Sequence, residues 1–168
     1  MSQSLICCRR YLTVALMTLL LSLPLNAFAQ DSTELLLELV PPDGAPIRLS
    51  RTDLEALPQL SFETTTGWTE SSALYTGPRL IDVLKLAGLD GRPVLATAAN
   101  DYKVTLTPDL IGPDYPIVAI RVDDKPFSLR ELGPLWIIYP YDLAADYRTE
   151  NVFAASIWQL VRISPAAQ

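Results

Sequence analysis

The densest grouping of reactive side chains is Tyr139-Pro140-Tyr141-Asp142, followed by Asp146-Tyr147-Arg148 and Glu150. Rigid aromatic rings beside a guanidinium and several carboxylates suit a small polar or zwitterionic ligand. The same residues have a purely structural use, with Arg148 paired to a carboxylate and the tyrosines capping a core. Asp142, Asp146 and Glu150 recur every four residues and on a helix would share a face. Such oxygen ligands suit calcium, although the spacing is not that of an EF-hand loop. As a general acid and base they would need a defined carboxylate separation, which a sequence does not contain. A second candidate is Asn100-Asp101-Tyr102, a turn dipeptide followed by a ring that could face a cleft. Trp68 lies between Gly67 and Thr69-Glu70 and reads as a loop residue, whereas Trp136 and Trp158 read as core. Arg79 would serve a nearby carboxylate or an anionic ligand. The candidate ligand-binding residues are thus Asn100, Asp101, Tyr102, Tyr141, Asp142 and Arg148, with no catalytic residue and no metal ligand assigned.

What is missing limits the chemistry further. The 168 residues include no histidine, and both cysteines (Cys7, Cys8) and both methionines (Met1, Met17) fall in the first 29. Those residues read as a secretory signal peptide. Arg9-Arg10 precede an apolar run from Tyr11 to Leu25, and Ala27-Phe28-Ala29 supplies a small-x-small cleavage pattern. A retained anchor is the competing reading, but Ser22 and Pro24 interrupt a run shorter than the ~20 apolar residues of a span. Arg9-Arg10 also admits the twin-arginine export route. Cleavage after Ala29 would leave Gln30–Gln168 as one exported, periplasmic module with 11 basic and 19 acidic residues, a net charge of −8. Such a chain has no disulfide, no Cys/His zinc site and no Ser-His-Asp or Cys-His nucleophile. Its acidity also argues against nucleic acid as a partner.

The elements that must carry these residues follow from local patterns. Leu35, Leu37 and Leu39 alternate along Glu34–Val40, which predicts a half-buried strand. Pro41-Pro42-Asp43-Gly44 turns the chain into a second strand at Ile47-Arg48-Leu49. Ser50 and Asp53 form a capping box for a short helix that Pro58 stops. Leu60–Thr66 is Thr-rich and β-prone. Gly77-Pro78 opens a helix with Pro78 at its first position, an apolar stripe of Leu80, Val83, Leu84 and Ala87, and Gly88 as its left-handed cap. Val94–Ala99 and Tyr102–Thr107 form a hairpin over a two-residue turn, Asn100-Asp101. Further strands are predicted at Ile117–Val122, at Leu135–Tyr139 as a central strand, and at Ile157–Ile163. The fold class is α+β, with more strand than helix.

Several of these stretches, taken in order, resemble the sulfite-oxidase-type molybdopterin-binding domain family. Tyr75-Thr76-Gly77-Pro78-Arg79-Leu80-Ile81-Asp82-Val83-Leu84 with Ala87-Gly88 resembles that family's "G-x-x-L-x-D-V-L-x-x-A-G" helix. Asn100-Asp101-Tyr102 resembles its "D-G-Y" hairpin. Pro116-Ile117-Val118-Ala119 with Asp124-Lys125-Pro126 resembles its "P-x-x-A…D-G-x-P-L" stretch. Gly133-Pro134-Leu135 through Pro140 and Ser156-Ile157-Trp158-Gln159-Leu160 resemble its closing segments. The resemblance runs from about Ser61 to Ile163 and implies a mixed β-sheet fold with few short helices. It also implies that the stretch after Leu135–Tyr139 lies beside the pterin pocket, with Tyr102 opposite.

The departures from the family bear on function. Its enzymes hold molybdenum through a cysteine thiolate and grip the pterin phosphate with His and Arg in stretches absent here. The chain resembles the small exported members that keep the fold. The expected function is therefore an exported, non-catalytic module with no cofactor, binding a small polar ligand or the periplasmic sensor domain of a signalling protein. The alternative is a molybdopterin-dependent oxidoreductase subunit that holds its cofactor without a cysteine. Fold by itself does not decide between them.

Overall fold

The computed structural model describes residues 34–128 and 132–167. The expected signal peptide and both cysteines lie outside the described residues. Among the described residues no helix is long and apolar enough to cross a membrane.

The first strand, β1 (Leu35–Leu39), pairs antiparallel with β2 (Ile47–Ser50) and parallel with the last strand, β11 (Leu160–Pro165). β11 pairs antiparallel with β5 (Val94–Ala98), which pairs with β6 (Lys103–Leu106), giving the order β2-β1-β11-β5-β6. The two ends of the described chain therefore meet inside one sheet. Period-two burial is clean in β5, where Val94, Ala96 and Ala98 are buried and Leu95 and Thr97 are not. It is broken in β1. A register shift between Leu35 and Leu37 leaves Leu35 49% exposed and turns Leu36 inward with Leu37 and Leu39. The predicted Leu35-Leu37-Leu39 face is thus corrected by a β-bulge, which re-aims one side chain.

A second sheet has the order β3-β4-β8-β9, from Gln59–Thr64, Ala73–Pro78, Arg121–Val122 and Lys125–Pro126. Between β8 and β9, Asp123 and Asp124 both have positive φ, as a tight two-residue hairpin turn demands. A buried ribbon joins β7 (Ile117–Ala119) to β10 (Trp136–Ile138), with Trp136 opposite Ala119 and Ile138 opposite Ile117. The predicted Ile117–Val122 strand is thus two strands in different sheets. The predicted central strand Leu135–Tyr139 is one half of this two-stranded ribbon. Its other edge is also paired, through the antiparallel bridge Trp136–Trp158 and the Ile137 N–H, which donates to the Ile157 carbonyl at 2.9 Å, so the chain runs between backbone partners on both sides as predicted.

Helix α1 (Arg51–Glu55) starts with the predicted capping box. The Asp53 backbone N–H donates to Ser50 Oγ at 3.3 Å, and the Ser50 N–H donates to Asp53 Oδ2 at 2.8 Å. Caps of this kind contribute about 1 kcal/mol. Helix α2 spans Leu80–Lys85 and buries Leu80, Val83 and Leu84, and Gly88 closes it at φ +60°. Pro78 is not its first residue. It ends β4, where it pairs with Gln59, and Arg79 is the N-cap. The antiparallel ladder with β3 keeps the chain extended two residues further than the helix signal suggests. A third helix, α3 (Glu150–Ala155), was not foreseen. Its signal was present in Thr149, whose hydroxyl accepts from the Val152 N–H at 3.3 Å as an N-cap.

The core is continuous across these layers. Leu37, Leu39, Leu54, Leu80, Leu84, Leu106, Ile117, Trp136, Tyr139, Ile157 and Ile163 are each essentially buried. Removing a leucine side chain of this kind from water contributes about 1.5–3 kcal/mol.

Candidate functional site

Three short segments converge on one cavity of about 420 Å³. The β5–β6 hairpin contributes Ala98, Asn100 and Tyr102. Helix α3 and the residues after it contribute Glu150, Phe153, Ala154, Ser156, Ile157 and Trp158. The loop between β3 and β4 contributes Trp68. The volume falls within the ~300–1,000 Å³ range of small-molecule sites.

The hairpin is built to present Tyr102. The Ala98 N–H donates to the Tyr102 carbonyl at 2.9 Å, and the Asp101 N–H donates to the Ala98 carbonyl at 3.1 Å. Asp101 has φ +64°. The loop therefore spans three residues, Ala99–Asp101, and not the predicted two, with the left-handed residue last. Asn100 Oδ1 accepts from the Tyr102 N–H at 3.1 Å, the local side-chain turn typical of Asn. Tyr102 is 50% exposed, and its hydroxyl reaches the Ala154 carbonyl at 3.5 Å, leaning across to α3.

Trp68 forms the wall facing the hairpin. Its ring centroid lies 5.4 Å from Trp158, 6.0 Å from Phe153 and 5.9 Å from Trp136. The interplanar angles of 62° with Trp158 and 74° with Phe153 make a corner of rings, not a stack. Its backbone is held by its own loop, where the Trp68 N–H donates to Thr66 Oγ1 at 3.1 Å. Trp68 also borders a second hollow of about 730 Å³ beside Tyr75, Phe127, Leu132 and Trp136. There Tyr75 Oη and Trp136 Nε1 are buried without a hydrogen-bond partner among the described residues. Burial raises the Tyr75 phenol above its ordinary range, partly offset by the nearby Thr69 hydroxyl.

The sequence-predicted residues divide into three groups. Asn100 and Tyr102 line the cavity. Asp101 lies in a separate depression with Thr97, Lys103 and Arg162. Ala98 and Thr97, successive residues of β5, line the cavity and that depression respectively, on opposite faces of the sheet. Tyr141, Asp142 and Arg148 are absent from the cavity wall, and each has an internal partner. Tyr141 is buried, stacks on Phe153 at 5.1 Å and donates its hydroxyl to Ser156 Oγ. Ser156 Oγ in turn donates to the Val152 carbonyl at 2.7 Å. Tyr141 thus sets the back of α3, one layer behind the cavity. Burial pushes the phenols of Tyr139 and Tyr141 well above their ordinary range.

Asp142 secures the end of β3. It accepts from the Thr65 N–H at 2.6 Å and from Thr65 Oγ1 at 3.0 Å. Those bonds hold its carboxyl below the ordinary range, with a smaller contribution from Arg148. Arg148 Nε donates to the Tyr141 carbonyl at 2.8 Å. Arg79 takes the carboxylate option foreseen for it, with Nε 2.7 Å from Asp82. Asp142, Asp146 and Glu150 do not share a helix face. Asp142 is in a turn, Asp146 is in the 3-10 turn Ala145–Arg148, and Glu150 begins α3.

Phe153, Ala154, Ile157 and Trp158 were not foreseen as site residues. Trp158 reads as core from its sequence, and Phe153 depends on a helix that the sequence reading missed.

No family model matches the chain, and no curated protein matches it in sequence. In fold it is similar to the sulfane dehydrogenase SoxCD from Paracoccus pantotrophus, with a TM-score of 0.58 and 14% identity. The likeness covers 79% of this chain and 38% of that one, so this chain spans well under half the length of the structure it matches. At that identity the likeness concerns the fold alone.

Proposed function

We propose that this chain is an exported, non-catalytic binding module on a molybdopterin-domain-like scaffold, and that the 420 Å³ cavity takes a small ligand with an apolar body. The observation that carries this is the cavity wall. Trp68, Phe153, Ile157 and Trp158 give it apolar and aromatic surfaces, and among the described residues its polar side chains besides the indoles are Asn100, Tyr102, Glu150 and Ser156. Ser156 is committed to Tyr141 and Val152, so its hydroxyl is not an available nucleophile. The order of the family-like motifs and the SoxCD-like fold support the scaffold. Arg9-Arg10, the apolar run and Ala27-Phe28-Ala29 support export.

Molybdopterin does not fit the residues present. An anionic phosphate calls for clustered cations, and a metal bound through sulfur calls for a soft ligand. Among the described residues, neither the cavity nor the larger hollow beside Trp68 is lined by Lys, Arg, His or Cys. Among the described residues there is no His/Cys/Asp/Glu group that could hold a metal ion.

The test is a titration of the purified protein with benzyl alcohol, read by tryptophan emission, since Trp68 and Trp158 both border the cavity. The expected result is a saturable emission change that Ala154→Trp, a filled mouth, abolishes. Molybdenum near one atom per chain in protein from a molybdopterin-competent host would overturn the reading, as would a flat titration.

A further inference from the structure

The chemistry of the cavity narrows its occupant. Four aromatic residues border it: Trp68, Tyr102, Phe153 and Trp158. Aromatic faces carry negative charge density and attract cations, tryptophan most strongly. Because Trp158 and Phe153 are inclined at 62° and 74° to Trp68, a guest in this corner meets rings from more than one direction. Among the described lining residues the only ionisable carboxylate is Glu150, and there is no lysine or arginine. Glu150 is exposed, and no cation pairs with it among the described residues. Lys103 and Arg162 of the hairpin sheet lie in the depression on the other face.

Two other polar atoms at the mouth already have partners within the protein. Asn100 Oδ1 holds the Tyr102 N–H, and the Tyr102 hydroxyl leans on the Ala154 carbonyl. Glu150 is the charged group among the described residues around this set of aromatic rings. A neutral apolar ligand would use the rings and leave the carboxylate idle. An anion would face that carboxylate with no compensating cation. A strongly hydrated small cation would lose its water shell against apolar walls. A cation whose charge is spread over methyl groups avoids that cost and satisfies both rings and carboxylate.

Building on the cavity as a ligand site, we propose that it recognises an organic cation with a methylated ammonium head, the head packed among Trp68, Tyr102, Phe153 and Trp158 and its charge balanced by Glu150. Affinity would come from ring faces and displaced water, and selectivity from the charge.

The experiment compares choline with 3,3-dimethylbutan-1-ol, which has the same shape with a neutral carbon in place of nitrogen. Both are titrated into the purified protein under tryptophan emission and by calorimetry. Choline is expected to bind about tenfold tighter than the alcohol, the scale of a partly desolvated cation–aromatic contact. Glu150→Gln should remove most of that preference, and an unchanged thermal melt shows that the protein remains folded. Trp68→Leu should weaken choline more than the alcohol. Equal affinity for the two compounds would overturn the cation proposal and leave an apolar binding cavity standing. Benzyl alcohol binding without choline binding would do the same. Failure of all three compounds would bring down the cavity reading itself.

Discussion

The Asp142 carboxylate accepts the Thr65 backbone N–H at 2.6 Å, across 77 residues of sequence. With Thr65 Oγ1 on the other oxygen, it ties the turn after β10 to the end of β3, where the loop carrying Trp68 begins. This carboxyl titrates below its ordinary range, so it contributes stability above the unfolded-chain value of ~3.9 and loses it as pH falls through the lower folded value. Asp53 and Asp82 are displaced in the same direction. Urea unfolding from pH 7 to pH 2 should show wild-type stability falling in acid below about pH 4. Asp142→Asn should be less stable at pH 7 and should converge with wild type at the acid end. Parallel curves would mean that Asp142 contributes no ionised-state bonding.

Arg148 invites a different expectation from the one its sequence neighbourhood suggests. Its Nε donates to a backbone carbonyl, that of Tyr141, and its side chain is exposed. A lysine still supplies a cationic donor there, so Arg148→Lys should cost about 1 kcal/mol or less in a thermal or urea melt. Ligand affinity in the cavity should not move, because Arg148 is not part of its wall. Loss of binding in a stably folded Arg148→Lys protein would return this residue to the ligand site.

Gly77 has a packing role that its place in the motif does not reveal. The Val118 carbonyl oxygen occupies the space that a β-carbon on Gly77 would need, with the Ala119 α-carbon only 2.8 Å from that point. These are backbone atoms of β7, which cannot rotate away. Gly77→Ala should therefore push β4 from the buried ribbon and cost about 3 kcal/mol or more, at the upper end of overpacking effects. A melt within 0.5 kcal/mol of wild type, the scale of ordinary surface substitutions, would contradict that contact.

The sequence by itself determined what short-range chemistry controls. The Ser50–Asp53 capping box, the Leu80-Val83-Leu84 stripe ending at Gly88 and the alternation along Val94–Ala98 each depend on neighbours within a few residues. Backbone hydrogen bonding and side-chain period leave a direct trace in such patterns. The absence of histidine, and of cysteine after Cys8, likewise restricted the chemistry before any fold was known. Tertiary structure decided the rest. The bulge that turns Leu36 inward, the extension of β4 through Pro78 and the split of Ile117–Val122 into two strands all come from pairing with distant partners. The cavity is the clearest case. Trp68, the Ala98–Tyr102 hairpin and Glu150–Trp158 meet because β11 lies beside β5 and Asp142 anchors the start of the Trp68 loop. Tyr141, Asp142 and Arg148 look like ligand residues when only their types and spacing are read. Hydrogen bonds to Ser156, Thr65 and the Tyr141 carbonyl engage them internally, and those partners become visible only once the chain has closed on itself.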